Sequence, residues 1–127
     1  MKLIKLTLIA IFAALTPLAK ADNLICTYAA VLSARDHRSS TGAALRDVAS
    51  IIRQDRANFH KFRIRDRPDE DDNFFNTVKN REDLEQMLRR RKLSPQASNE
   101  IINGTPYVQV SVYRADEGYY YVTVEVL

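Results

Sequence analysis

The strongest constraint in the sequence is at its C-terminal end. Residues 107–113 (YVQVSVY) and 119–126 (YYYVTVEV) alternate apolar and polar side chains, and the five residues Arg114, Ala115, Asp116, Glu117 and Gly118 lie between them. A period of two places successive side chains on opposite faces of a strand. Two such runs around a glycine-bearing loop predict a β-hairpin. With a five-residue loop Tyr113 pairs with Tyr119, Val112 faces Tyr120, Val110 faces Val122 and Val108 faces Val124. One face is then a valine core. The other carries Tyr107, Tyr113, Tyr119 and Tyr121 among Gln109, Ser111, Thr123 and Glu125. A hairpin with one apolar face needs cover from other elements, which the rest of the chain must supply.

Those elements can be read from spacing. Residues 24–32 (LICTYAAVL) are apolar and partly β-branched, which predicts a buried strand, with a helix as the alternative because of the alanines. Over residues 43–62, Leu45, Val48, Ile51, Ile52, Phe59 and Phe62 recur at helical steps, and Ser40 or Thr41 is placed to cap the start. The charged stretch 63–73 contains Pro68 and predicts an exposed connection. Asn80 offers a cap to a second helix over residues 81–92. Its acids Glu82 and Asp83 come first and Arg89, Arg90, Arg91 and Lys92 last, an order that complements the helix dipole. Ser94 and Pro95 start a third helix, which Asn103 and Gly104 end by tolerating a left-handed cap. The expectation is a small α+β domain: a mainly antiparallel sheet including the C-terminal hairpin, packed against about three helices. The alternative is a helical bundle with an appended hairpin.

The other end of the chain reads differently. Residues 1–21 have the three parts of a secretory signal: Lys2 and Lys5, an apolar run over residues 6–15, and Ala19-Lys20-Ala21 as a cleavage site before Asp22. The apolar run is well short of the roughly 20 residues needed to cross a bilayer, so no stable membrane anchor is expected after cleavage. The expected working protein is a single domain over residues 22–127, exported to the periplasm or secreted. Charge then changes meaning. Of 19 lysines and arginines, three (Lys2, Lys5 and Lys20) lie in the leader and no acid does, which leaves 16 bases against 16 acids. A neutral domain offers no basic footprint for nucleic acid, and none is expected as a partner.

Export permits disulfides, but Cys26 is the single cysteine and cannot form one within the chain. It is expected to pack as a small apolar side chain. With His37 and His60 as the only histidines, no zinc spacing exists. Asp69, Asp71 and Asn73 resemble the start of a calcium loop, but its glycine position holds Phe74 and its final glutamate position holds Asn80. No metal is expected. No phosphate-cradling glycine loop, nucleophile elbow or dinucleotide fingerprint occurs, so no cofactor is expected either. Asn103-Gly104-Thr105 matches a glycosylation acceptor and fits a helix stop equally well.

Two surfaces remain as candidates. The tyrosine face of the hairpin (Tyr107, Tyr113, Tyr119, Tyr121) combines rings with hydrogen-bonding side chains, which suits recognition of a protein, peptide or glycan. It is lost if helices cover it. Arg53, Arg56 and His60 can share a face of the first helix and hold an anion. Their competing use is internal pairing with Asp55, Asp66, Asp69, Glu70, Asp71 and Asp72.

The segment Ile52-Arg53-Gln54-Asp55-Arg56-Ala57-Asn58-Phe59-His60-Lys61-Phe62, with Asn103-Gly104-Thr105-Pro106, resembles small exported proteins of unknown function from Gram-negative bacteria. The resemblance implies a periplasmic address and transfers no activity. The expected function is non-enzymatic binding, most simply of a protein partner in the periplasm or outside the cell. The competing expectation is a small hydrolase or nuclease-like toxin using His60 with Arg53 and Arg56.

Overall fold

The structure is a computed structural model that describes residues 22–127; the leader read at residues 1–21 lies outside the described residues. The chain runs β1 (Asn23–Val31), α1 (Val48–His60), α2 (Val78–Arg90), α3 (Pro95–Asn103), β2 (Tyr107–Arg114) and β3 (Tyr120–Val126). The three strands form one antiparallel sheet in the order β1-β2-β3. This is the α+β architecture that the alternation at the C-terminus demanded, and residues 23–31 are a strand rather than a helix.

Cys26, Tyr28 and Ala30 of β1 pair with Val112, Val110 and Val108 of β2, so their side chains share one face of the sheet. The helices cover that face. Tyr28, Ala30, Val108, Val110, Val112 and Val122 are buried together with Ile51, Ile52, Leu84, Leu88, Ile101 and Phe75. Each large aliphatic side chain removed from water there contributes about 1.5–3 kcal/mol. Phe75 lies between helices and sheet, its ring edge-on to Tyr28 at 5.9 Å.

The hairpin register departs from the sequence expectation by two residues. Tyr113 pairs with Tyr121, Val112 with Val122, Val110 with Val124 and Val108 with Val126. The loop is tighter than expected. Ala115 N–H donates to Tyr119 O at 2.9 Å and Gly118 N–H to Ala115 O at 2.9 Å, with Gly118 left-handed at φ 94°. A turn followed by a left-handed glycine is the favoured three-residue hairpin. Because the shift is even, every side chain keeps its expected face.

Helix boundaries moved for local reasons. The first helix starts at Val48, not near residue 43, because Asp47 caps it through Ser50 N–H. The preceding residues form a bridge of Arg38 with Ala44. Phe62, expected on the buried face, lies past the helix end and is exposed. The second helix is capped by Thr77 rather than Asn80; the Asn80 amide instead donates to Phe74 O. Ser94 caps α3 as expected, but Gly104 is extended rather than left-handed. Glycine is needed there for another reason: a Cβ would sit 2.8 Å from Glu100 O.

The two sheet edges are treated differently. Along β1, Ala29 N–H donates to Glu70 Oε1 and Val31 N–H to Asp69 Oδ1, while Glu70 N–H returns to Ala29 O. The acidic stretch expected as a mere exposed connection thus closes an edge that would otherwise template association. Among the described residues, β3 has no backbone partner beyond β2.

Candidate functional site

The last turns of α1 carry Asp55, Arg56, Phe59 and His60, with Arg56 and His60 one turn apart on one side. Asp72 meets them from the connection between α1 and α2. Its Oδ1 accepts from the backbone N–H groups of Phe74 (2.9 Å) and Phe75 (2.6 Å), a local turn that an aspartate can close with its own side chain. Its Oδ2 accepts from Arg56 Nη1 and from His60 Nε2, each at 2.8 Å. One buried carboxylate therefore takes four hydrogen bonds.

Arg56 is completely buried. Its Nε donates to Asp55 Oδ2 at 2.7 Å and its Nη1 also reaches Glu70 O at 3.0 Å. The guanidinium lies 3.8 Å from the centre of the Tyr28 ring and 4.6 Å from that of Phe59, so two aromatic rings pack against it. The two aspartates respond oppositely. Burial pushes the Asp55 carboxyl up to about 7, against the pull of Arg56. Burial would raise Asp72 too, but Phe75 N–H, His60 and Arg56 together outweigh it and hold that carboxyl below its ordinary value.

The anion patch expected from sequence does not assemble as three residues. Arg56 and His60 meet on Asp72, whereas Arg53 turns to α2 and pairs with Glu85 and Glu82. Arg56 is also inaccessible, so it can steady neighbours but cannot touch a ligand. Sequence reasoning named Asp72 only as one acid among several. The signal that singles it out is its place three residues before Phe75, where a turn-closing carboxylate is pinned beside a core ring. A cleft of about 570 Å³ opens beside His60, and none of the residues lining it is Ser, Thr, Cys or Lys. Its ionisable lining is His60, Asp71, Asp72, Arg63 and Arg65.

The tyrosine face is open. All four expected residues lie on the side of the sheet away from the valine core, and none is buried. Three of them gather. Tyr113 and Tyr121 stack with centroids 5.3 Å apart, and Tyr119 lies 6.1 Å from Tyr121. Arg91 sits 4.6 Å from the Tyr121 ring centre, and the Tyr121 hydroxyl donates to Asp22 Oδ2 at 2.6 Å. That bond to Asp22 raises the Tyr121 hydroxyl above its ordinary pKa.

Leu24, opposite Tyr113 on β1, extends the cluster and is more than half exposed. Tyr107 is separate, six residues or about 20 Å along β2, beside Val31. Between the two ends the face is polar: Thr27 Oγ1 and Ser111 Oγ share a hydrogen bond of 3.0 Å, and Gln109 Nε2 donates to Thr27 Oγ1 at 3.2 Å.

Among the described residues no helix is long and apolar enough to cross a membrane. The chain was compared with protein-family models, curated proteins and solved structures, and it matches none of them.

Proposed function

We propose that the chain is an exported, non-enzymatic binding protein that engages a protein partner through the outer face of its sheet, with Tyr113, Tyr119 and Tyr121 as the centre of contact and Tyr107 at its far end. The observation that carries this reading is the one-sided packing of the sheet: the apolar side chains turned to the helices are buried, and the opposite face presents stacked, partly exposed rings. Aromatic side chains with two rotatable bonds bring large contact area at small entropic cost, and they dominate the centres of protein interfaces. Leu24 and the Arg91 guanidinium widen the patch. The polar row of Thr27, Ser111 and Gln109 supplies hydrogen bonds beside it. The edge of β3, unpaired among the described residues, adds a row of backbone groups that an extended segment of a partner can use.

Capture from an envelope extract of the organism that makes the protein tests this. The wild type retains a specific partner, and Tyr113→Thr with Tyr121→Thr, which keeps β-forming side chains in both strands, loses it while its circular dichroism stays unchanged. Equal capture by that double variant rejects the reading. Hydrolase chemistry at His60 has support only from the Asp72 pairing.

A further inference from the structure

The cleft beside His60 lies between the end of α1 and the turn at residues 71–76, and it shares no residue with the tyrosine face. We propose that it binds a phosphate group, free or as a phosphomonoester, with Arg63 and Arg65 as its charge partners and His60 as an oriented imidazole in its wall.

The charge inventory of the cleft favours an anion. Asp72 is already matched by Arg56 at 2.8 Å. The Asp71 carboxylate accepts the backbone N–H of Asp72 at 2.8 Å; that bond leaves its negative charge in place, and the two arginines of the lining outnumber it. Arg63 and Arg65 also line the cleft, and among the described residues neither makes an ion pair or a side-chain hydrogen bond. Arg65 is nonetheless held in place, its guanidinium 5.3 Å from the centre of the Phe59 ring.

The backbone brings both arginines there. After α1 the chain turns back, with Phe62 N–H donating to Ala57 O and Ile64 N–H to Asn58 O. Arg63 takes the left-handed conformation at φ 59°, the one non-glycine residue among the described residues to do so. Such a conformation is strained for an arginine and persists only where surrounding bonds impose it. Here it folds residues 63–65 over the last turn of the helix that carries His60.

The imidazole is pre-oriented. An ionised Asp72 can only accept, so His60 Nε2 carries the proton in their 2.8 Å bond. Nδ1 has no protein partner among the described residues. Two guanidinium forks and the amides of Asn73 and Asn76 together exceed what the two oxygens of a carboxylate can accept; a tetrahedral phosphate can take them all, and the hydroxyl of a monoprotonated phosphate can donate to His60 Nδ1. At about 570 Å³ the cleft has room for the organic part of an ester.

The test is a titration of the isotopically labelled protein with sodium phosphate and, separately, with phosphoserine, at ionic strength held constant with sodium chloride. The His60 imidazole and the Arg63 and Arg65 side-chain N–H signals are followed. Saturable shifts are expected at these groups, and Arg63→Gln or Arg65→Gln weakens binding about tenfold or more. Lys79→Gln, an exposed change on α2, leaves it unchanged. Tighter binding of phosphoserine assigns the site to phosphomonoesters, and equal binding assigns it to the free ion. Shifts that do not saturate, that chloride alone reproduces, or that survive in the double arginine variant overturn the proposal.

Discussion

Asp72 Oδ2 lies 2.8 Å from His60 Nε2 and 2.8 Å from Arg56 Nη1, so one oxygen ties the end of α1 to a buried guanidinium. Removing it leaves Asp55, among the described residues, as the one carboxylate on the buried Arg56. Asp72→Ala is expected to cost about 3–5 kcal/mol, because the buried Arg56 Nη1 loses its carboxylate partner and the two turn N–H groups of Phe74 and Phe75 lose their acceptor. Asp72→Asn keeps an acceptor and should cost less. Urea unfolding of the two variants measures the difference.

Asp55 gives the network a pH dependence of definite sign. Its ordinary value is 3.8 and burial moves it to about 7 in the folded protein. Between these values the folded state holds a proton that the unfolded state has released, so stability falls as pH rises through the window from about 4 to 7. Asp36, also raised by burial, acts in the same direction. Asp72 is lowered and acts oppositely: its contribution is present above its ordinary value and is lost as the pH falls below it. Asp55→Asn should flatten the neutral side of the curve and leave the acid side, as unfolding free energies measured at a series of pH values would show.

Cys26 is half-buried on the helix-covered side of the sheet, and its thiol is pushed up to about 11, first by burial and then by the Asp72 charge. A thiol so disposed is almost wholly protonated near neutral pH and reacts slowly. Iodoacetamide should modify the native protein far more slowly than the protein in urea. Equal rates in the two conditions would place Cys26 at an open surface.

Gly104 is fixed by space rather than by torsion. A Cβ there meets Glu100 O at 2.8 Å, so Gly104→Ala should cost about 1–3 kcal/mol by forcing the end of α3 apart. Thermal unfolding reads this directly.

These cases show what the sequence could and could not convey. The period of two in residues 107–126 determined both faces of the hairpin, because an even slip of register leaves every side chain on its side. The slip itself came from Gly118, whose left-handed turn tightened a loop that composition alone left at five residues. The third helix was legible because Ser94 and Pro95 are local signals. The first two starts were not, since Asp47 and Thr77 compete with equally plausible caps at Ser40, Thr41 and Asn80. The tyrosines were visible as a face, but whether helices would cover them is a tertiary matter that no spacing encodes. The meeting of His60, Arg56 and Asp72 joins residues up to 16 apart through a connection without periodicity. Arg53 was grouped with them by helical spacing, and its partner Glu85 on α2 could be found only once the helices were packed.

The most direct measurement of the binding account is oxidative footprinting of the protein with and without its captured partner. The account predicts that Tyr113, Tyr119, Tyr121 and Leu24 become protected in the complex while Phe62 and Ile64, exposed beyond α1, react as before. Protection of Phe62 and Ile64 with the sheet face unchanged, or the failure of any saturable complex to form, would contradict it.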